Sequence, residues 1–98
     1  MKVVELFRSR VVFAENRFSE IVLWRLIKAL PGSSHSFKYR LAYVVNEVCV
    51  LRYDNETGKG DHRHWGEEES DYKFMSLDKL LADFQADIER WNHENGHS

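Results

Sequence analysis

Four runs of β-branched and aromatic residues, joined in pairs by short polar links, dominate the first half of the sequence. The runs are Lys2–Ala14 with Arg17–Ile27, and Ser36–Val45 with Val48–Asp54. Glu15-Asn16 links the first pair and Asn46-Glu47 links the second. A two-residue polar link between strand-forming runs is typical of a β-hairpin. We therefore expect an antiparallel sheet that is built from hairpins.

The first hairpin admits a second interpretation. A simple two-residue turn would place Phe13 opposite Phe18 and Phe7 opposite Trp24, and such aromatic pairs stabilise adjacent strands. Residues 18–30 also suit a helix, because their apolar side chains fall at helical spacing as well. We expect a strand here, and the helix stays open as an alternative.

The second hairpin gives the strongest strand signal. An unbroken register would place Arg52 and Asp54 on the face of Leu41, with Tyr53 on the other face. Both faces are apolar near the turn, so we expect this hairpin at the centre of the sheet. Cys49 lies within it and is expected to be a small buried core residue.

The remaining segments are shorter. We expect loops at Pro31–Ser34 and Asn55–Gly60, a strand at Asp61–Trp65, a polar turn at Glu67–Ser70 and a returning strand at Asp71–Met75. These segments would bring the antiparallel, strongly twisted sheet to about five to six strands.

The chain ends in an amphipathic helix. Ser76 is a favourable N-cap, and apolar residues follow at helical spacing to about Trp91. Such a stripe predicts a helix packed on one face of the sheet. We expect a single α+β domain over residues 1–91, followed by a polar tail over residues 92–98.

Composition and charge restrict the class of protein. Of the 98 residues, 43% are apolar and 31% are charged, as in an ordinary globular domain. We find neither an apolar run of the roughly 18–20 residues that a membrane span needs nor the apolar stretch of a signal peptide. The single cysteine cannot form an intramolecular disulfide, which fits a reducing compartment. We expect a soluble, cytoplasmic protein that does not associate with membranes.

The net charge of −2 is divided unevenly along the chain. Residues 1–65 hold 11 Lys/Arg against 7 Asp/Glu, a charge of +4, and residues 66–98 hold 3 against 9, a charge of −6. The basic part is compatible with binding a polyanion, and the acidic part with a solvated helix face.

The residues most suited to chemistry follow the second hairpin. His62 and His64 alternate with Arg63 and Trp65, so a strand would place the two imidazoles on one face. Two adjacent histidines can supply one base and one acid near neutral pH, as internal phosphodiester cleavage by a ribose 2′-hydroxyl requires. The candidate cations for the phosphate are Arg40, Arg52, Lys59 and Arg63.

Two other interpretations use the same histidines. The pair could supply two metal ligands, with Asp61, Asp54 or His35 as a third, although the sequence lacks the spacing of an established metal motif. The histidines could also simply protect a solvated edge strand. We predict neither a metal nor any other cofactor.

The sequence resembles the TumE family. The resemblance covers about residues 10–90, and its most specific part runs from Arg52 to His64 as RYDN…GKGxHRH, with Asp61 at the variable position. TumE proteins are small toxin components of bacterial and archaeal type II toxin–antitoxin pairs. They are usually encoded beside an antitoxin that carries a helix-turn-helix domain.

The resemblance implies a toxin, and by analogy of size and build one that cleaves messenger RNA in the manner of RelE relatives. It carries over the following residues: Arg40, Arg52, Asp54, Lys59, His62, Arg63 and His64. In this hypothesis either His62 or His64 acts as the general base of a metal-independent ribonuclease, and the other acts as the general acid. Asp54 orients an imidazole or pairs with an arginine, and the cations hold the RNA.

A competing hypothesis is a binding module without catalysis that occupies RNA, a ribosome or a protein through the same basic patch. In either case we expect an antitoxin as partner, and a monomer or weak homodimer in its absence.

Overall fold

The computed structural model describes residues 3–31, 35–56 and 58–96, in which a six-stranded antiparallel sheet carries a helix on one face. The elements in chain order are β1 (Val3–Ala14), β2 (Arg17–Leu26), β3 (Phe37–Val45), β4 (Val48–Glu56), β5 (Gly60–Trp65), β6 (Glu68–Asp71) and α1 (Leu77–Glu94). Each strand pairs with the next one along the chain. The predicted α+β fold is confirmed, and β2 excludes the helix considered for residues 18–30. Residues 32–34, within the predicted loop at Pro31–Ser34, lie outside the described residues.

Tight turns form the two hairpins where the sequence predicts them. Asn46 and Glu47 have φ values of 51° and 66°, the left-handed conformation that suits a two-residue hairpin turn. The Asn16 side chain donates a hydrogen bond of 2.7 Å to the Asn46 side chain and so joins the two turns. The second hairpin, β3–β4, lies at the centre of the sheet as predicted.

The register of the first hairpin differs from the prediction. Trp24 and Phe18 lie opposite Glu5 and Val12 rather than opposite phenylalanines. The register shifts at two places along β1, which adds residues to β1 that have no directly opposite partner in β2.

The β3–β4 ladder also contains a bulge. Its register passes from Val44 opposite Cys49 to Tyr43 opposite Leu51, which leaves Val50 without an opposite partner. One extra residue moves every later side chain of β4 to the other face of the sheet.

This bulge determines what surrounds the histidines. Arg52 lies opposite Ala42, and Asp54 lies opposite Arg40. The predicted placement of Arg52 and Asp54 on the face of Leu41 is therefore wrong. The prediction of a buried Cys49 is also wrong, because full burial along β4 begins only at Leu51.

The core lies between the sheet and α1. Its buried members are Leu23, Tyr39, Leu41, Tyr43, Val45, Leu51, Tyr53, Leu80, Phe84 and Ile88. Ser76 caps the helix as predicted, since its side chain accepts a hydrogen bond of 3.0 Å from the Lys79 N–H. The helix runs three residues past Trp91, and Asn92 accepts a hydrogen bond of 2.6 Å from the Tyr43 hydroxyl. No helix within the described ranges has the length and apolar character needed to cross a membrane.

The last strand begins earlier than predicted. The turn falls at Gly66 and Glu67, and Gly66 has a φ of 62°, a conformation that favours glycine. β6 therefore covers Glu68–Asp71, so the predicted turn at Glu67–Ser70 and strand at Asp71–Met75 are misplaced. Glu69 consequently lies opposite His64.

Candidate functional site

His62 and His64 lie on the face of the sheet opposite α1, which we call the open face. Their opposite residues in β4 are Asp54 and Arg52. Arg63, between them, points to the other face and contacts α1 through Asp87. Period-2 alternation along β5 thus separates the two imidazoles from Arg63, as the sequence predicts.

Two adjacent rows of side chains cross the open face from β3 to β6. The first row is Arg40, Asp54, His62 and Asp71, and the second row is Ala42, Arg52, His64 and Glu69. The β4 bulge makes these rows possible, because an unbroken register would turn Arg52 and Asp54 toward α1. The structure therefore brings four predicted site residues together beside Arg40.

His64 is held by its neighbours on β4. Arg52 Nη2 lies 3.1 Å from His64 Nε2, and since a guanidinium can only donate, His64 Nε2 is the acceptor. Asp54 Oδ2 lies 3.2 Å from Arg52 Nε, and Asp54 Oδ1 lies 3.9 Å from His64 Nε2. The contact between Asp54 and Arg52 Nε lacks hydrogen-bond geometry, and 3.9 Å is too long for a hydrogen bond to the imidazole. An orienting role for Asp54 therefore stays a prediction.

His62 has the opposite kind of surroundings. Its Nε2 donates to the backbone carbonyl of Lys59 at 2.9 Å. Its Nδ1 is buried and lies 3.1 Å from Glu69 Oε1 and 3.8 Å from Asp71 Oδ1. The contact with Glu69 lacks hydrogen-bond geometry. Both ring nitrogens of His62 therefore face carbonyl or carboxylate oxygens, which can only accept hydrogen bonds. These surroundings suit a histidine that acts as a donor.

The remaining predicted cations differ in position. Arg40 is exposed beside Asp54. Lys59 is exposed on the turn before β5, with its Nζ 3.8 Å from Glu56 Oε2. Arg63, predicted to contact phosphate, is not brought into this group.

Arg63 instead joins β4, β5 and α1. Its Nε donates to Asp87 Oδ2 at 2.7 Å and to the Tyr53 hydroxyl at 3.1 Å. The hydrogen bond to Asp87 raises the pKa of the Arg63 guanidinium. Burial, followed by the hydrogen bond to Asp87, raises the pKa of Tyr53. This cluster on the helix side holds the sheet against α1.

Comparison with known proteins identifies the family. The chain matches the family model described as Toxin TumE over residues 3–92. It belongs to the TumE toxin family. No curated protein and no solved structure matches it. Membership of a toxin family implies, in general, an antitoxin partner.

The TumE chain also contains a second polar cluster, on the helix side. His35 Nε2 lies 2.7 Å from Asp61 Oδ2, which also accepts a hydrogen bond of 2.6 Å from the Tyr39 hydroxyl. Burial, followed by the hydrogen bond to Asp61, raises the pKa of Tyr39. His35 and Asp61, considered as further metal ligands, are therefore engaged away from His62 and His64. Among the described residues, no group of three or more His, Cys, Asp or Glu side chains is arranged to hold a metal ion.

Glu69 is the site residue that the sequence analysis missed. It lies 3.1 Å from His62 Nδ1 and 3.9 Å from His64 Nε2, so it contacts both imidazoles. The sequence analysis placed Glu69 in a turn. Gly66 was the available signal for an earlier turn, because glycine tolerates the left-handed backbone that the turn adopts.

Proposed function

We propose that this TumE family member is the toxin of a type II toxin–antitoxin system and that it cleaves RNA without a metal ion. The observation that supports this most directly is the pair His62 and His64 on the open face, with different hydrogen-bond partners and with Arg52 and Arg40 beside them. Such a site supplies a base, an acid and cations for a phosphate.

His64 suits the role of general base. It is an acceptor at Nε2 in the structure, and neutral imidazole can remove the proton from a ribose 2′-hydroxyl. The 2′-oxygen then attacks the adjacent phosphorus. Asp54, 3.9 Å from Nε2, would stabilise the imidazolium that forms.

His62 suits the role of general acid. The bond from phosphorus to the 5′-oxygen breaks, and that oxygen needs a proton in order to leave. His62 Nε2 already donates a hydrogen bond, to the Lys59 carbonyl. As an imidazolium, His62 would give this Nε2 proton to the leaving oxygen and would become neutral. The leaving oxygen would replace that carbonyl, and the products are a 2′,3′-cyclic phosphate and a 5′-hydroxyl.

Arg52 and Arg40 would hold the non-bridging phosphate oxygens. Both flank Asp54 on the open face, and an arginine can donate two parallel hydrogen bonds to a phosphate. Lys59 would contact the RNA backbone from the turn before β5. Arg63 has no part in this proposal, because it is bound to Asp87 on the other face.

The biological setting follows from the family. We propose a cytoplasmic toxin that is neutralised by an antitoxin with a helix-turn-helix domain. The antitoxin is the partner that would restrain the toxin until it is released.

Growth after tightly controlled expression is the first test. The parent chain should arrest growth, whereas His64→Ala at matched soluble level should not, with nearly the same melting temperature. His93→Ala, an exposed histidine on α1, is the matched control and should remain toxic. A fully active His64→Ala variant would show that the site is wrongly assigned.

Cleavage of purified RNA tests the chemistry. We expect cleavage in the presence of a chelator, with loss of about 10²–10⁴-fold in rate for His64→Ala or His62→Ala. A substrate with 2′-deoxy sugars should not be cut. Loss of all cleavage in chelator would instead indicate a metal-dependent nuclease.

A non-catalytic module would give a different pattern. It would bind RNA or another partner with a steep salt dependence and no turnover. Replacement of either histidine by Gln or Asn would then be tolerated better than Arg52→Ala.

A further inference from the structure

β1 is an edge strand with an unusual surface. Among the described residues, ten large apolar side chains are exposed, and seven of them lie on β1. They are Val3, Val4, Leu6, Phe7, Val11, Val12 and Phe13, between 42% and 65% exposed. Apolar patches of this kind on a small domain mark places where another chain binds.

The opposite edge of the sheet is built differently. β6 has four residues, all exposed, and three of them are acidic. A short, charged edge resists pairing with another strand. β1 has twelve residues, and its register with β2 is unbroken over Phe7–Val12. This stretch pairs on one side only, so its other side presents backbone N–H and C=O groups to a further strand.

In the middle of β1, apolar side chains point toward the helix side and arginines point toward the open face. Phe7 and Val11 lie opposite Leu23 and Ser19, toward the helix side. Arg8 and Arg10 lie opposite Val22 and Glu20, toward the open face. A strand added to β1 would therefore meet apolar groups on one face and two guanidinium groups on the other.

We propose that β1 binds an extended protein segment of alternating apolar and acidic residues as a seventh strand of the sheet. The backbone hydrogen bonds would supply affinity, and acidic side chains opposite Arg8 and Arg10 would set the register. Arg8 contacts Glu5 at 2.9 Å, and Arg10 lies 3.8 Å from Glu20. Both pairs are exposed and weak, and each guanidinium has further donors for a partner.

A second copy of the chain fits this edge less well. Antiparallel pairing of two β1 strands about Ser9 would set Arg8 of each copy against Arg10 of the other, and like charges directly opposite are destabilising. The β6 strand of another copy would offer acidic groups, but its sequence Glu-Glu-Ser-Asp has no apolar side chain for Phe7 and Val11.

The proposed surface is separate from the histidine site. Four inter-strand steps divide β1 from β5, which is on the order of 19 Å. The inference therefore does not rest on the ribonuclease proposal, and changes in β1 should leave RNA cleavage unchanged.

The test uses a labelled peptide of about nine residues that alternates Val and Glu, with binding to the full chain followed by fluorescence anisotropy. A peptide with Lys in place of Glu is the control. We expect binding of the first peptide only. The double variant Arg8→Glu with Arg10→Glu should weaken this binding at least about tenfold. Lys28→Glu with Lys73→Glu changes the net charge equally at other exposed positions and should have little effect.

Backbone methylation of the peptide tests strand addition on the unaltered protein. Methyl groups on one alternate set of peptide nitrogens should abolish binding, and methyl groups on the other set should be tolerated, because alternate N–H groups face β1. Equal effects of the two sets, or no binding by the parent peptide, would overturn the proposal. Concentration-dependent dimers that Val11→Lys disrupts would instead assign β1 to a second copy.

Discussion

A single buried amide closes the end of the sheet at which the site lies. Asn55, 2% exposed, accepts a hydrogen bond of 3.0 Å from the Tyr39 N–H and donates one of 2.7 Å to the Phe37 carbonyl. It follows directly after Asp54, whose carboxylate contacts both Arg52 and His64. Asn55 thus keeps β3 and β4 joined beside the Asp54 carboxylate.

Replacement of this amide should therefore be costly. Asn55→Ala leaves the buried Tyr39 N–H and the part-buried Phe37 carbonyl without their side-chain partner, and the buried group alone costs about 1–3 kcal/mol. We expect a clear fall in the urea midpoint of unfolding, with an unchanged slope. Asn95→Ala, at an exposed asparagine that ends α1, is the control and should change little. Equal shifts for the two variants would show that Asn55 does not hold the strands together.

At single residues, the alternation along β5 could be predicted, whereas the faces of Arg52 and Asp54 and the partner of Arg63 could not. The alternation of His62, Arg63 and His64 correctly separates the arginine from the histidines, because side chains of a strand alternate by geometry. The phosphate role for Arg63 rests on its charge and on the family signature, and neither of them says which face a residue occupies. Its partner Asp87 lies 24 residues away along the chain, and no local pattern indicates such a pair.

At the level of elements, the hairpins and the helix could be predicted, whereas the bulges could not. The turn at Asn46 and Glu47 has a clear chemical signal. The extra residue Val50 has none, because Val48–Leu51 is apolar at every position and so does not show which residue lacks a partner. That one residue decides that Arg52 and Asp54 share the face of the histidines.

The ion pair between β5 and α1 gives a test at this level. Arg63→Ala leaves Asp87 without its cation in a partly buried place, so we expect the melting temperature to fall. Toxicity per folded molecule should stay unchanged, because the pair lies on the helix side. Arg63→Met with Asp87→Leu should recover part of the lost stability, since an apolar pair can replace a buried ion pair. The recovery is incomplete because the Tyr53 hydroxyl loses both of its partners.

A different outcome for Arg63→Ala would support the predicted contact of Arg63 with phosphate. A stable Arg63→Ala variant that no longer cleaves RNA, and that the double variant does not rescue, would place Arg63 in the site.

At the level of the whole molecule, the core and the proposed site lie on opposite faces of one sheet. α1 covers one face with Leu80, Phe84 and Ile88, each at most 3% exposed, and the histidines lie on the other. Damage to the core and damage to the proposed site should therefore be separable by experiment, even though we expect either one to abolish toxicity.

Phe84→Ala tests this separation. The side chain fills the space against Tyr53, with the ring centroids 6.0 Å apart, so its removal should cost about 3–5 kcal/mol and lower the melting temperature on the order of 20 °C. Gln85 is the exposed neighbour of Phe84 on α1. Gln85→Ala should leave the free energy of unfolding and the melting temperature nearly unchanged. His64→Ala, by contrast, should keep a normal melting temperature and lose cleavage. A Phe84→Ala chain that melts within a few degrees of the parent would contradict the assignment of the core, because a residue so placed cannot be removed without leaving a cavity.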